Sequence, residues 1–300
     1  MSTPLVSVII PTFNREKELE RALISLIGQT YANWEGLIVD NHSLDNTVNL
    51  INSFNDSRLK LHMINNYGII GMSRNLGAKY SDGKYLAFLD SDDWWKSDKL
   101  EKSVKILEEC KVGLIYHDLF LATKKNQKFY FKKTRSRNLL KPVFNDLIIN
   151  GNSLITSSVV IRKDILNKVS GFSLDKRLIT IEDYDAWLKI AKMDETFYKI
   201  NEVLGYYWAG GNNTSNPKMT IKVLDNLKEN YKNQINQLSL IDKTYWIEYS
   251  KARAYYKIKL REKSLDGFNA ALNMNPIFKI KVKILFMIFM LKIQIFLMKE

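Results

Sequence analysis

The chain has 300 residues, of which 46% are hydrophobic, and a formal net charge of +13 at pH 7. This length and apolar content suit one large globular domain with a smaller appendage, and they exclude global disorder. A single cysteine excludes an internal disulfide framework, and three scattered histidines argue against a zinc site. The positive charge predicts anionic partners, but the basic residues form no known nucleic-acid-binding motif, so nucleic acid is not expected among them.

The first third of the chain alternates short apolar runs with segments of helical spacing. The apolar runs predict strands at 5–11, 37–40, 58–64 and 85–89, and the spacing predicts helices at 15–27, around 48–51 and at 71–80. Strands and helices that alternate in this way form parallel sheets with helical crossovers, so the fold class is α/β. Ligands bind beyond the carboxyl ends of such strands, where Asn14, Asp40 and Asp90 all fall.

Three carboxylates follow the fourth predicted strand within four positions, at Asp90, Asp92 and Asp93. Clustered carboxylates repel one another and resist burial, so a cation is expected among them. Oxygen ligands at this density suit Mg²⁺ or Mn²⁺, which also bind substrate phosphates. An acidic turn that caps the next helix is the alternative. The chain has no glycine-rich phosphate loop, so metal and side chains would have to hold the phosphates of a nucleotide.

The pattern changes after residue 112. Strands are predicted at 112–121, 156–161 and 205–213, with a helix at 180–193 and a basic, aromatic segment at 124–137 that predicts an exposed hairpin or loop. From 217 to 276 the spacing is helical, and 251–276 is similar to one helical-repeat hairpin. Because one such unit cannot bury its own apolar face, we expect it to pack on the main domain.

Five motifs stand in order along the chain: residues 8–15 (VIIPTFNR), 39–47 (VDNHSLDNT), 73–78 (SRNLGA), 89–93 (LDSDD) and 182–185 (EDYD). Together they resemble the family 2 glycosyltransferases, particularly the bacterial enzymes that build surface polysaccharides. The resemblance covers about residues 5–210. It implies a GT-A nucleotide-sugar-binding fold, with a mostly parallel central sheet flanked by helices, as a catalytic domain over residues 1–215 and a helical extension over 216–276.

The resemblance implies that the first two motifs hold the nucleoside. Pro11, Thr12 and Asn14 would line the nucleobase pocket, and Asp40 would hydrogen-bond the base or the ribose. The alternative for Asp40 is a residue that only stabilises a turn.

The next two motifs are expected to hold the ribose, the diphosphate and a metal. Arg74 would approach the base or the diphosphate, since its planar fork suits phosphate oxygens. Asp90 would contact the ribose, and Asp92 would bind Mn²⁺ or Mg²⁺ as the cofactor. The alternative for Arg74 is an ordinary surface arginine of a helix.

The last motif supplies the candidate general base, Asp183, which would take the proton of the acceptor hydroxyl as the sugar is transferred with inversion. The alternative is a capping box in which Asp183 bonds back to the backbone of Thr180. Where many relatives place Arg or His after the aromatic strand, this chain has Trp208, with Asn212, Asn213 and Ser215 beyond it. Those three are the candidate replacements for the missing Arg or His.

The expected reaction moves a hexose from a nucleotide sugar, with a UDP-sugar favoured, to a hydroxyl of a lipid-linked glycan. One alternative is a sugar nucleotidyltransferase, but those enzymes normally carry a Gly-rich basic loop where this chain has residues 11–15. The other is a non-catalytic, membrane-associated protein that binds nucleotide sugars. Trp94 and Trp95 either stack on sugar rings or pack in the core.

The C-terminal segment is apolar with interspersed lysines. Its uninterrupted apolar run, Ile284–Leu291, is too short to span a bilayer. We expect residues 277–300 to form a helix on an anionic membrane surface, although the lysines make no clean stripe. Packing on the preceding helices is the alternative. No secretory signal is present at the start, which predicts a cytoplasmic protein, peripheral on the inner face of the cell membrane.

Overall fold

The computed structural model describes residues 3–124, 127–193, 196–210 and 216–297. The chain divides into two compact units, the first formed by 1–139 with 153–213 and the second by 140–152 with 214–300. The segment 140–152, predicted as part of the catalytic domain, thus belongs to the second unit. The candidate replacements at 212, 213 and 215 lie outside the described ranges.

The N-terminal part of the first unit is a series of strand–helix repeats. Its elements are β1 (Val6–Thr12), α1 (Glu16–Ile27), β2 (Trp34–Asp40), α2 (Thr47–Ser53), β3 (Leu59–Met63), α3 (Ile70–Tyr80) and β4 (Tyr85–Phe88). Strands β3, β2, β1 and β4 lie side by side and pair in parallel. This confirms the predicted alternation. Every residue of β1 and β2 is buried, as expected for central strands covered on both faces.

The chain continues with β5 (Trp94–Trp95), α4 (Lys99–Glu109), β6 (Leu114–Ala122), α5 (Val143–Asn150), β7 (Val160–Arg162), α6 (Lys163–Lys168), α7 (Glu182–Ala191) and β8 (Phe197–Trp208). The eight strands form one sheet in the order β3-β2-β1-β4-β7-β6-β8-β5. Strand β7 is antiparallel to β4 and to β6, and β6 is parallel to β8. The carboxyl ends of β1, β2, β4 and β6 therefore lie at the same edge of the sheet.

Two predicted strands differ from the structure in extent. The segment predicted as a strand at 156–161 begins with a 3-10 turn, Thr156–Ser158, and only then becomes β7. This turn is held by contacts distant in sequence, since Trp95 Nε1 donates to the Ser157 carbonyl at 2.8 Å. The aromatic strand predicted from 205 starts earlier, at Phe197. Helices α4 and α5 were not predicted.

The second unit is helical, as predicted. Besides α5 it contains α8 (Pro217–Asn230), α9 (Lys232–Gln237), α10 (Tyr245–Lys257), α11 (Arg261–Asn273) and α12 (Phe278–Phe296). Helices α10, α11 and α12 pack around a small core of Ala252, Phe268, Ala271, Ile284, Ile288 and Leu291. Within the described ranges, no helix is both long enough and apolar enough to cross a membrane.

Candidate active site

A cavity of about 400 Å³ opens at the carboxyl edge of the parallel strands. Four of the predicted site residues line it: Pro11, Thr12, Asp90 and Asp92. The remaining lining residues were not predicted as site residues, and they are Phe13, Arg15, Asn41, Asn66, Gly68, Ile70, Ser73 and Ser91. The topology thus brings the first and fourth motifs together around one space large enough for part of a small ligand.

Asn14 and Asp40 join the loops that follow β1 and β2. Asn14 has a positive φ of 49°, and its Oδ1 accepts from the Leu44 N–H at 2.7 Å. The main-chain N–H of Asn14 donates to Ser43 Oγ at 2.8 Å. Asp40 is fully buried, and its carboxylate accepts from both the N–H and the hydroxyl of Ser43. Neither side chain is among those that line the cavity. Both hold the loops that follow β1 and β2, and their direct contact with a nucleoside stays a prediction.

The floor of the cavity carries amides that sequence reasoning missed. Asn41 Oδ1 accepts from the Asn66 N–H at 2.8 Å, and Asn66 Nδ2 donates to Ser73 Oγ at 2.9 Å. Asn66 Oδ1 accepts from the Gly68 N–H at 2.9 Å. The sequence feature that could have indicated these amides is Asn-Tyr-Gly after β3, because a turn there could bring an amide to the sheet edge. Polar groups of this kind can fix the orientation of a nucleobase.

Asp92 is nearly buried and pairs with Arg15, which also lines the cavity. Arg21 Nη2 donates to the main-chain oxygen of Asp92 at 2.6 Å. Burial, followed by the charge of Asp90, raises the pKa of Asp92, whereas Arg15 lowers it. An additional cation at this place would stabilise the charged carboxylate. Arg15 is the last residue of the first motif, and this position is what the sequence offers to indicate a role for Arg15 at the site.

The carboxylates at the cavity could hold a divalent metal together with the oxygens of a diphosphate. In the described part of the chain, no group of three or more His, Cys, Asp or Glu side chains is placed to hold a metal. Asp92, with Asp90 two positions away at the same cavity, offers one or two carboxylates. Mg²⁺ and Mn²⁺ commonly bind to such a set when substrate phosphates and water supply the other oxygens.

Asp93 and the neighbouring aromatic residues make their contacts within the protein. Asp93 is fully buried and accepts from the Trp208 N–H at 2.8 Å, which ties the end of β8 to the acidic turn. Burial raises the pKa of Asp93 well above its ordinary value, and Asp92 adds to the rise. Trp94 stacks on Tyr206, with ring centroids 4.9 Å apart. Trp95 is buried, so the packing alternative holds for it.

Arg74 connects the end of β4 to the start of α7. Its Nη2 donates to Asp90 at 2.8 Å and its Nη1 to Glu182 at 2.7 Å. Only 3% of Arg74 is exposed, so the alternative of a surface arginine is wrong. Burial lowers the pKa of Arg74, but the two carboxylates outweigh burial and raise it, so the group stays charged. Both ends of its fork are occupied by protein, and contact with the diphosphate stays a prediction.

Asp183 lies in the first turn of α7, next to Glu182. Its Oδ2 accepts from the Thr156 hydroxyl at 2.7 Å and its Oδ1 from the Tyr184 N–H at 2.6 Å. These partners differ from the Thr180 backbone that a capping box requires. Burial and the charge of Glu182 raise the pKa of Asp183 to about 6, against the lowering effects of Arg74 and Thr156. The sequence does not predict the role of Thr156, because residues 156–161 have the pattern of a strand whereas Thr156 lies in a turn.

Comparison with known proteins identifies the family. The model of the family described as Glycosyl transferase family 2 matches residues 7–170. The chain is 35% identical over 204 residues to the UDP-Glc:alpha-D-GlcNAc-diphosphoundecaprenol beta-1,3-glucosyltransferase WfgD of Escherichia coli. That match covers 67% of this chain and 75% of the relative.

Two solved structures resemble the fold. Residues 1–349 of S. aureus TarS in complex with UDP-GlcNAc superpose with a TM-score of 0.61 at 18% identity, covering 90% of this chain and 81% of that fragment. The mannosyltransferase PcManGT from Pyrobaculum calidifontis, in complex with GDP-Man and Mn²⁺, gives a TM-score of 0.59 at 16% identity. That match covers 100% of this chain and 89% of the other. At these identities the likeness shows the fold alone, which is the predicted GT-A fold. Because the family model matches more than half of its residues, the chain belongs to glycosyl transferase family 2.

Proposed function

We propose that this protein is an inverting, metal-dependent hexosyltransferase of bacterial surface-polysaccharide synthesis. The donor is a UDP-sugar, and the acceptor is a hydroxyl of a lipid-linked oligosaccharide. The observation that carries the proposal is the position of Asp183. Its neighbour Glu182 pairs with Arg74, and Arg74 also pairs with Asp90, which lines the cavity. The Escherichia coli relative, whose name specifies UDP-Glc and a diphosphoundecaprenol acceptor, supports this choice of donor and acceptor.

The donor's nucleoside occupies the part of the cavity lined by Pro11, Thr12 and the amide floor. Its diphosphate lies toward Asp92 and Arg15, where the guanidinium of Arg15 can donate hydrogen bonds to the phosphate oxygens. Mn²⁺ or Mg²⁺ held by Asp92, with Asp90 beside it, would neutralise the negative charge of the departing diphosphate. Asn14 and Asp40 act by holding the loops that form the wall of this pocket.

The chemical step is a displacement at the anomeric carbon of the donor sugar. The acceptor oxygen forms a bond to C1 while the bond from C1 to the diphosphate oxygen breaks, and the diphosphate leaves with the electron pair. Asp183 takes the proton of the acceptor hydroxyl. A carboxylate with a pKa of about 6 is ionised at neutral pH and is a better proton acceptor than an ordinary aspartate.

The second unit supplies a surface for membrane attachment. One side of α12 packs in the small helical core, but Phe278, Phe286, Phe289 and Phe296 are each more than half exposed. Lysines are interspersed along the same helix. Exposed phenylalanines with lysines favour the interface of an anionic bilayer. We therefore propose that the enzyme is peripheral on the inner face of the cell membrane, where a lipid-linked acceptor is presented.

Calorimetric titration of UDP with and without Mn²⁺ tests the donor site. We expect Mn²⁺ to tighten UDP binding to the wild type, and Asp92→Asn to remove most of that gain. Asp164→Asn, which changes a half-exposed aspartate away from the cavity, is the matched control and should behave like the wild type. Incubation with UDP-sugars and a lipid-diphosphate saccharide should then yield a product of inverted anomeric configuration. UDP affinity that is the same with and without Mn²⁺ would contradict metal dependence, and a retained configuration would contradict the proposed mechanism.

A further inference from the structure

The segment 127–137 runs back along β6, close to the edge of the sheet where the cavity opens. The Leu121 N–H donates to the Lys132 carbonyl at 2.8 Å, and the Thr134 N–H donates to the Leu119 carbonyl at 2.8 Å. These bonds hold the segment in an extended course beside the strand. It is therefore part of the architecture of the first unit, placed where β6 ends.

Tyr130, in the middle of this segment, packs against aromatic residues next to the site. Its ring lies 4.7 Å from Tyr206 and 6.4 Å from Trp94, measured between ring centroids. Trp94 lies under the guanidinium of Arg21, 3.7 Å from its ring centroid. Arg21 in turn donates to the main chain of Asp92. A continuous set of contacts thus joins Tyr130 to the turn that carries the candidate metal ligand.

The residues on either side of Tyr130 point away from the protein. Phe129 is 71% exposed and Phe131 is 91% exposed. Lys128 and Lys132, which flank them, are also exposed. Two large rings held in water beside an anchored tyrosine cost free energy unless something covers them. Because lysines surround the rings, the covering surface must be both apolar and negatively charged, which describes the headgroup region of an anionic bilayer.

We propose that residues 128–132 form a membrane-contact segment that inserts Phe129 and Phe131 into the headgroup region of an anionic bilayer. This contact sets the opening of the cavity at the lipid surface, where the diphosphate head of a lipid-linked acceptor lies. The segment belongs to the first unit and acts in addition to α12. The inference rests on the proposed function in one respect, the lipid-linked nature of the acceptor.

An environment-sensitive dye placed on the segment tests the contact directly. The full chain with Phe131→Cys and Cys110→Ser carries the dye at position 131. The wild-type chain carries it at its own exposed Cys110, near the amino end of β6, as the matched control. With vesicles of phosphatidylcholine and phosphatidylglycerol, we expect a blue shift and brighter emission at 131 and no change at 110. Neither position should respond to vesicles of phosphatidylcholine alone. Unchanged emission at 131 in protein that sediments with the anionic vesicles would overturn the proposal.

The double variant Phe129→Ser/Phe131→Ser tests the consequence. Its affinity for anionic vesicles should fall about tenfold or more, since two phenylalanines lose their burial. The KM for a lipid-linked acceptor in vesicles should rise, whereas UDP binding and transfer to a short-chain, water-soluble acceptor should not change. Leu174→Ser, at a residue that is 52% exposed, is the control for loss of an exposed apolar group. Unchanged vesicle affinity in the double variant would overturn the proposal. If the wild type fails to transfer sugar to the soluble acceptor, the proposed function fails, and the dye at 131 still decides the membrane contact.

Discussion

The environment of Asp183 combines two opposing effects on its proton. Burial and the adjacent Glu182 favour the protonated form, whereas Arg74 and the Thr156 hydroxyl favour the charged form. The balance leaves the pKa at about 6, so a modest change in one partner should be visible in the pH dependence of the reaction.

We expect kcat/KM to fall below a pH of about 6, where Asp183 becomes protonated and can no longer accept a proton. Thr156→Val removes a hydrogen bond to the charged form, so the pKa of Asp183 should rise and the acid limb should move to higher pH. Thr156→Ser keeps a hydroxyl and should restore the wild-type profile. Asp183→Asn should lower kcat by about 10²- to 10⁴-fold at pH values where Asp183 is ionised, and the acid limb should disappear. A pH profile that is the same in Thr156→Val and the wild type would contradict this account.

Arg74 is the single cation between two carboxylates, Asp90 and Glu182, in the described part of the site. Arg74→Met leaves Glu182 buried without its counter-charge, so the free energy of unfolding should fall by about 3–5 kcal/mol. Arg74→Lys keeps the charge but lacks the fork that reaches both partners, so its loss should be smaller. Urea unfolding measures both. The exposed arginine of the Arg177–Asp175 pair gives the control, Arg177→Met, which should unfold like the wild type. An Arg74→Met protein as stable as wild type would show that the network is not a structural requirement.

The sequence could identify that the first and fourth motifs meet at the site, but not most of the side chains that line the cavity or how each is used. Strand ends are predictable from apolar runs, so the convergence of the Pro11 and Asp90 segments followed from the α/β pattern. The partners of Arg74 were not predictable, because Glu182 is 108 positions away and only the fold brings it near. Asn14 and Asp40 lie at the ends of β1 and β2 as expected, but their hydrogen bonds depend on loop conformations that a motif does not encode.

At the scale of elements, the approach of α3 to β1 decides where Arg74 and the first motif lie. The two elements meet at Gly77, where an added Cβ would stand 2.6 Å from Cγ2 of Ile9. A glycine at this position lets the helix lie directly on the buried strand. The contact explains why a residue of low helix propensity stands inside α3.

Gly77→Ala should therefore destabilise the protein by about 1–3 kcal/mol, because the methyl group forces the helix away from the strand. Ile9→Ala alone leaves a cavity in the core and should cost about 2–5 kcal/mol. In the double variant the new methyl group occupies part of that cavity, so the loss should be smaller than the sum of the two single losses. Chemical unfolding of the four proteins gives the coupling energy. Simple additivity would show that the helix and the strand adjust independently.

The differences between prediction and structure follow from the kind of contact that forms each element. The parallel strands were predictable because both of their faces are buried and the sequence is continuously apolar. Helix α4 has a regular spacing of Leu100, Val104 and Leu107 that was open to prediction. Helix α5 is short and apolar, and periodicity cannot separate such a run from a strand. The turn at Thr156–Ser158 forms against strand propensity, because contacts with Trp95 and Asp90 hold it.

At the scale of the whole molecule, the net charge of +13 has a consistent physical meaning. A basic protein is drawn to an anionic surface over distances up to the Debye length, and salt weakens the attraction. Charge alone gives no fixed orientation, whereas exposed phenylalanines at definite positions do. Membrane attachment should therefore have one salt-sensitive component and one that depends on individual aromatic residues.

The two sides of helix α12 have different surroundings. The contribution of its aromatic residues to membrane attachment can therefore be measured separately from their contribution to the stability of the fold. Phe286 and Phe289 are each 61% exposed, whereas Ile284 is fully buried in the helical core. Phe286→Ser/Phe289→Ser should weaken sedimentation with anionic vesicles and leave thermal unfolding nearly unchanged. Ile284→Ala should cost about 2–5 kcal/mol of stability and, below its unfolding temperature, should bind vesicles like the wild type. If instead the double variant unfolds early and binds vesicles normally, the phenylalanines serve packing, and the lysines alone would account for attachment to the membrane.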